Sequence, residues 1–198
     1  IHSLRESLPS KNSHGEDLKV IEEEIDRINE IVDQFLRFAK PASPLLEKAE
    51  ITPIFDETLQ LLKPQIERRK ISVQKDFRSL PSITIDREQM KQAVLNLLLN
   101  AIQAMPEGGR LIMSGQVPED NQGVQLSIKD SGVGIPPEDM DKLFDPFFTT
   151  KEVGGTGMGL PITLRIIEEH HGSIKVRSQG GKGTTFLVTL PQTQEVKI

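Results

Sequence analysis

The chain has 198 residues, 27% charged and 36% hydrophobic, ordinary proportions for one globular domain with an appendage or for two small domains. Its net charge is −5, and 24 basic residues are scattered among 29 acidic ones without a basic stripe, which argues against a nucleic-acid partner. The lack of cysteine excludes disulfides, thiol nucleophiles and thiolate zinc sites, and the four histidines (His2, His14, His170, His171) have no metal-site spacing.

No apolar run approaches the roughly 20 residues of a membrane helix, and no signal peptide is evident. The expectation is a cytoplasmic portion, its parent anchored in a membrane only through a region upstream of Ile1. Leu18, Ile21, Ile25, Ile28, Val32, Phe35 and Ala39 recur in steps of three and four, the seam of a supercoiled helix. Ile31, Leu36 and Phe38 widen the seam toward that of a four-helix bundle. Ser13 and Glu16 read as its capping box, and Pro41 and Pro44 end it. Ile1, Leu4 and Leu8 mark the last turns of an earlier helix, so residues 1–40 read as a helical hairpin with a truncated first arm. A surface helix packed on its own domain is the alternative.

Residues 41–48 read as a linker, with the proline-rich KPASP (40–44) as the joint between domains. Beyond them the pattern mixes helix and strand. A helix is predicted over 52–70, with Pro64 uncomfortable inside it, then strands over 71–77 and 82–85. Asp86 and Gln89 cap a helix running to about Met105. Segments 110–117 and 124–130 read as a hairpin. After a stretch rich in glycine and proline come a helix (160–171), a strand (173–178), a GGKG turn and a last strand (184–190). This order predicts an α/β (α+β) sandwich, one mixed sheet with helices on one face, occupying 49–192 and followed by a tail at 193–198.

Four features carry chemistry. Asn96, Asn100 and Gln103 share one face of the helix beginning at 87. An asparagine carbonyl is a hard, neutral oxygen suited to Mg²⁺, although the same stripe would serve as a solvated face. Asp130 ends a strand and opens DSGVGI, where Gly132 and Gly134 permit a tight turn beside a flat ligand. Its carboxylate can accept the exocyclic amino hydrogen of adenine. GGTGMGL (154–160) opens a helix, so backbone N–H groups at Gly155, Gly157 and Gly159 can converge on an anion; a flexible linker would look similar. Between these lies LFDPFFTTK (143–151), whose Phe144, Phe147 and Phe148 suit either a lid over the site or core filling. GKGTTF (181–186) leads into the last strand, where Thr184 could support Asp130 through its hydroxyl or a water.

In this order the segments resemble the ATP-binding domain of sensor histidine kinases, which has a Bergerat-type ATPase fold. NLLLNAIQAM (96–105) is similar to that family's N box, DSGVGI, GGTGMGL and GKGTTF to its three glycine boxes, and LFDPFFTTK to its F box. EIDRINEIVDQFLRFAKP resembles the second helix of the dimerisation and phosphotransfer domain, and NAIQAM with FFTTK resembles the nitrogen-regulation branch. The resemblance implies that Asn100 binds Mg²⁺, that Asn96 touches phosphate or water, and that Asp130 specifies adenine with Thr184 behind it. It places Gly155, Thr156, Gly157, Met158, Gly159 and Leu160 along the triphosphate, with Lys151 and Gln103 as further candidates. Other branches carry a basic residue where Gln103 stands. A response-regulator receiver domain and a homodimer through the hairpin are the implied partners.

The family's acceptor signature, His-Glu/Asp-x-x-Arg/Asn-Pro, occurs nowhere in this chain, so the expectation is a fragment that binds ATP without phosphorylating itself. Clamp ATPases of related fold, anti-sigma serine kinases and a nucleotide-free dimerisation module are the competing readings.

Overall fold

The computed structural model describes residues 43–119, 123–150 and 155–193, together with Ile21 and Ile25. The chain divides into two units, Ile1–Ala42 and Ser43–Ile198. In the first, Ile21 and Ile25 are helical and exposed; the rest of the predicted hairpin lies outside the described residues.

The second unit opens with strand β1 (Glu47–Ala49), which pairs antiparallel with β3 (Ile83–Ile85). This ribbon begins within the stretch read as linker. Three residues of Glu-Lys-Ala carry no alternation long enough to announce a strand. Helix α1 (Thr52–Arg68) follows, turning Ile54, Phe55, Thr58, Leu62 and Ile66 inward at steps of one, three and four. Pro64 lies inside it on the exposed face, and the helix continues past it to Arg68.

Strand β2 (Ile71–Phe77) leads through β3 into α2 (Arg87–Gln103), which buries Met90, Ala93, Val94, Leu97, Leu98, Ala101 and Ile102 between α1 and α3 (Gly159–Glu169). The remaining strands are β4 (Gly109–Gln116), β5 (Val124–Asp130), β6 (Ser173–Gln179) and β7 (Gly183–Leu190). They build one five-stranded sheet in the order β2-β4-β5-β7-β6, parallel only between β2 and β4. Leu111, Met113, Leu126, Ile128, Phe186 and Val188 are buried on its helix-bearing face. The intervening Arg110, Ile112, Ser127, Lys129 and Leu187 lie on the open face. The α/β sandwich is therefore the predicted one, a mixed sheet with helices on one side.

The start of α2 departs from a simple capping box. Asp86 Oδ1 accepts from the Gln89 N–H at 3.0 Å as predicted, but the Asp86 N–H donates to Nε2 of His170 at 2.9 Å.

Candidate functional site

The inward register of β5 carries Leu126, Ile128 and finally Asp130, so its polar end is drawn into the interior with the apolar residues. Asp130 is only 2% exposed. Its Oδ1 accepts from the N–H of Gly132 at 2.8 Å and from the N–H of Thr184 at 3.2 Å. Among the described residues it has no ion-pair partner. Burial pushes its carboxyl above the usual range, and the backbone N–H groups pull it partway back. Support from Thr184 thus comes through the backbone amide. The Thr184 hydroxyl lies 2.9 Å from that of Ser178, which also accepts from the N–H of Ile135 at 2.8 Å. Ser178 joins the site although the sequence reading omitted it. Its signal was positional: it continues the inward row of Ile174 and Val176 along β6.

The turn after Asp130 packs on the end of α2. A Cβ at Gly132 would stand 2.4 Å from the Ala104 carbonyl oxygen, which accepts the Val133 N–H at 3.0 Å. Gly134 is the next glycine of this turn, with a positive φ.

The segment between the glycine loops passes through a 3-10 helix (Pro137–Lys142) and places Leu143, not a phenylalanine, in the interior. Phe144 and Phe148 are half-buried and Phe147 is 55% exposed, so core filling does not account for the trio. Phe147 instead meets the next loop by backbone: its N–H donates to the Gly157 carbonyl at 3.1 Å. With φ at +66° and Phe147 backbone 2.4 Å from where a Cβ would stand, position 157 accepts only glycine.

Gly155 and Thr156 precede this point, and the Thr156 hydroxyl accepts from the Met158 N–H at 3.3 Å. Met158 is buried, and Gly159 and half-buried Leu160 begin α3. Lys151 and Gly154 lie outside the described residues.

Asn96 and Asn100 are half-buried on one face of α2, whereas Gln103 is exposed. The Asn96 amide donates to the Gly159 carbonyl at 3.0 Å and to the Thr163 hydroxyl at 3.3 Å, fastening α2 to the first turn of α3. The structure thus brings together Asn96, the 155–160 loop and the Phe147 segment, and separately ties Asp130 to Gly132 and Thr184. Among the described residues there is no cluster of three or more His, Cys, Asp or Glu side chains suited to a metal. An amide oxygen from α2 fits an ion whose other ligands are phosphate and water. An open recess of about 490 Å³ lined by Arg110, Lys129 and Lys182 adjoins this site at Asp130 and Ser131.

Comparison with known proteins agrees with this geometry. Residues 85–194 match the family described as "Histidine kinase-, DNA gyrase B-, and HSP90-like ATPase". Sporulation kinase E of Bacillus subtilis (strain 168) is 40% identical over 179 residues, covering 90% of this chain and 24% of that protein. Sensor histidine kinase ZraS of Escherichia coli (strain K12) is 38% identical over 174 residues, 87% of this chain and 37% of that one. The chain thus spans a quarter to about two fifths of these relatives. The crystal structure of histidine kinase ThkA in complex with response regulator protein TrrA superposes with a TM-score of 0.79 at 27% identity, covering all of this chain and 57% of that one.

Proposed function

This chain belongs to the histidine kinase-, DNA gyrase B- and HSP90-like ATPases, and on that premise we propose that it is the ATP-binding core of a sensor histidine kinase. The observation that carries the reading is Asp130: a buried carboxylate with no ion-pair partner among the described residues, held by the backbone N–H groups of Gly132 and Thr184 from two of the glycine-rich segments. A fold needing only stability would gain by replacing such a group with an apolar one. A site for adenine needs it, because the carboxylate accepts the exocyclic amino group of adenine and opposes the carbonyl of guanine.

In the proposed mechanism the triphosphate lies along residues 155–160, where N–H groups and the N-terminus of α3 oppose its charge. Asn100 would hold Mg²⁺, which supplies charge neutralisation on the phosphates when bound. Asn96 sets the distance between the α2 face and the loop through its bonds to Gly159 and Thr163. The Phe147 segment, resting on Gly157, closes over the nucleotide as a lid.

The γ-phosphoryl group then passes in line to an imidazole nitrogen. The bond from phosphorus to the bridging oxygen breaks, a phosphorus–nitrogen bond forms, ADP leaves, and the imidazole proton goes to a carboxylate beside the acceptor. Relay to a receiver-domain aspartate follows, with homodimerisation through the hairpin of residues 1–40. The TrrA complex of ThkA supports the receiver-domain partner. As for location, no helix among the described residues is long and apolar enough to cross a membrane.

Calorimetric titration tests this reading. The chain binds ATP with Mg²⁺ and not GTP; Asn100→Ala weakens binding together with its Mg²⁺ dependence, and Asp130→Asn abolishes discrimination. Since the chain lacks the acceptor signature, it incorporates no acid-labile phosphate by itself. Failure of the folded chain to bind ATP overturns the proposal.

A further inference from the structure

The proposed chemistry makes no use of His170, yet its side chain is fully buried. It closes α3, with Nδ1 2.7 Å from the Ile166 carbonyl oxygen and Nε2 accepting the Asp86 N–H at 2.9 Å. A carbonyl can only accept, so the ring proton is on Nδ1, and both nitrogens are committed. The Asp86 carboxylate is committed as well: Oδ1 to the Gln89 N–H, and Oδ2 to the N–H of Leu45 at 2.8 Å.

These contacts close a circuit. From Asp86, α2 runs about 15 Å to Asn96; Asn96 binds Gly159, and α3 runs about 16 Å back to His170. Two helical stretches of nearly equal length, residues 87–96 of α2 and 159–170 in and after α3, are therefore tied at both ends, by Asn96 at the phosphate end and by His170 at the far end. Because each helix is a packed, hydrogen-bonded rod, α2 and α3 offer a contiguous path by which a shift at the far tie can reach the Asn96–Gly159 contact. The Leu45 bond attaches the segment that follows Ala42 to the far tie, and β1–β3 pairing secures that segment two residues later.

We propose that His170 is a positioning residue that couples the chain at Leu45 to the nucleotide-facing ends of α2 and α3. The inference rests on the nucleotide reading above and names a means of regulating that site: displacement of the 43–46 segment alters nucleotide affinity. A histidine that merely filled the interior would contribute to stability and leave Leu45 indifferent to nucleotide.

The test uses the whole chain with ADP and Mg²⁺. Amide hydrogen exchange at Leu45 and nucleotide affinity are measured for the wild type, His170→Gln, His170→Phe and Leu45→Pro. Nucleotide slows Leu45 exchange in the wild type and in His170→Gln, which retains an acceptor for the Asp86 N–H. His170→Phe loses this protection and binds nucleotide about 3- to 20-fold more weakly. Leu45→Pro deletes the N–H at a residue 83% exposed, leaves the interior intact and weakens binding in the same direction. It decides the matter if His170→Phe does not fold. Unchanged affinity in folded Leu45→Pro, or an unprotected Leu45 in nucleotide-bound wild type, overturns the coupling alone. Absence of nucleotide binding by the wild type overturns this proposal and the function together.

Discussion

The two flanks of the structure handle charge in opposite ways. Around α1 and β2 the charges are at the surface and paired: Lys75 with Asp56 at 2.6 Å, and both Arg87 and Lys91 with Glu57. Beneath them the stability is apolar, with Ile54 and Phe55 fully buried and the Phe55 ring centroid 5.0 Å from that of Phe77. Around the end of β5, the start of β7 and the loop that opens α3 the reverse holds. Asp130 is buried with no ion-pair partner among the described residues, glycines stand where a Cβ would collide with backbone, and Phe147 is left exposed with a positive φ. The first flank follows the rules for stability, whereas the second departs from them where the glycine motifs lie, as expected where binding sets the design.

The largest expected effect is on the stability of the second flank. Gly132→Ala drives a Cβ into the Ala104 carbonyl oxygen and should cost about 3 kcal/mol, a fall in Tm of roughly 6–12 °C by thermal unfolding. A Tm within a degree of wild type would mean that the turn yields easily, and the contrast between flanks would lose its basis. Asp130→Asn comes next and separates function from stability. Asn keeps an oxygen for the N–H groups of Gly132 and Thr184 but presents donors where the adenine amino group would donate, so ATP affinity falls about 10- to 100-fold.

Stability moves the other way. Burial raises the Asp130 carboxyl above its usual range, so the folded chain holds that proton to higher pH than the unfolded chain. Its ionisation therefore removes stability as pH rises through the raised value, and Asp130→Asn should match or exceed the wild-type Tm at pH 7. Adenine binding in the wild type weakens as pH falls through the same value, read as a rising Kd for ADP.

Much of this division was legible beforehand. DSGVGI, GGTGMGL and the Asn96–Asn100 face are local patterns, and spacing alone places them at a strand end, a helix start and one side of a helix. The contacts among them were not legible, because the partners are backbone groups far away in sequence. Nothing in the letter Thr184 says that its N–H, not its hydroxyl, reaches Asp130, and nothing in Gly159 says that its carbonyl holds Asn96. His170 occupies the position four residues after Ile166, which marks it as inward-facing, but only the fold shows Asp86 opposite it. The phenylalanine segment invited core filling because composition cannot show exposure. Its backbone contact with Gly157 supplies the distinction.

Asn96→Ala should have a smaller effect. It removes the bonds to Gly159 and Thr163, costs about 1 kcal/mol and lowers Tm by roughly 2–4 °C. ATP affinity should fall with it, since the loop start loses its tie to α2. The smallest effect belongs to the first flank. The hydrogen bond from Lys91, foremost, and the charge of Arg87 hold the Glu57 carboxyl below its usual range. A lowered value means stabilisation that is present above the unfolded-chain value and lost as pH falls through the folded one. The Glu57 side chain is 42% exposed, however, and water and salt screen both partners. Glu57→Gln should therefore shift Tm by less than about 1 °C at neutral pH and physiological salt, with ATP affinity unchanged. A larger loss, growing as salt is lowered, would show that the surface pairs of the first flank act as a network, and that its stability is not chiefly apolar.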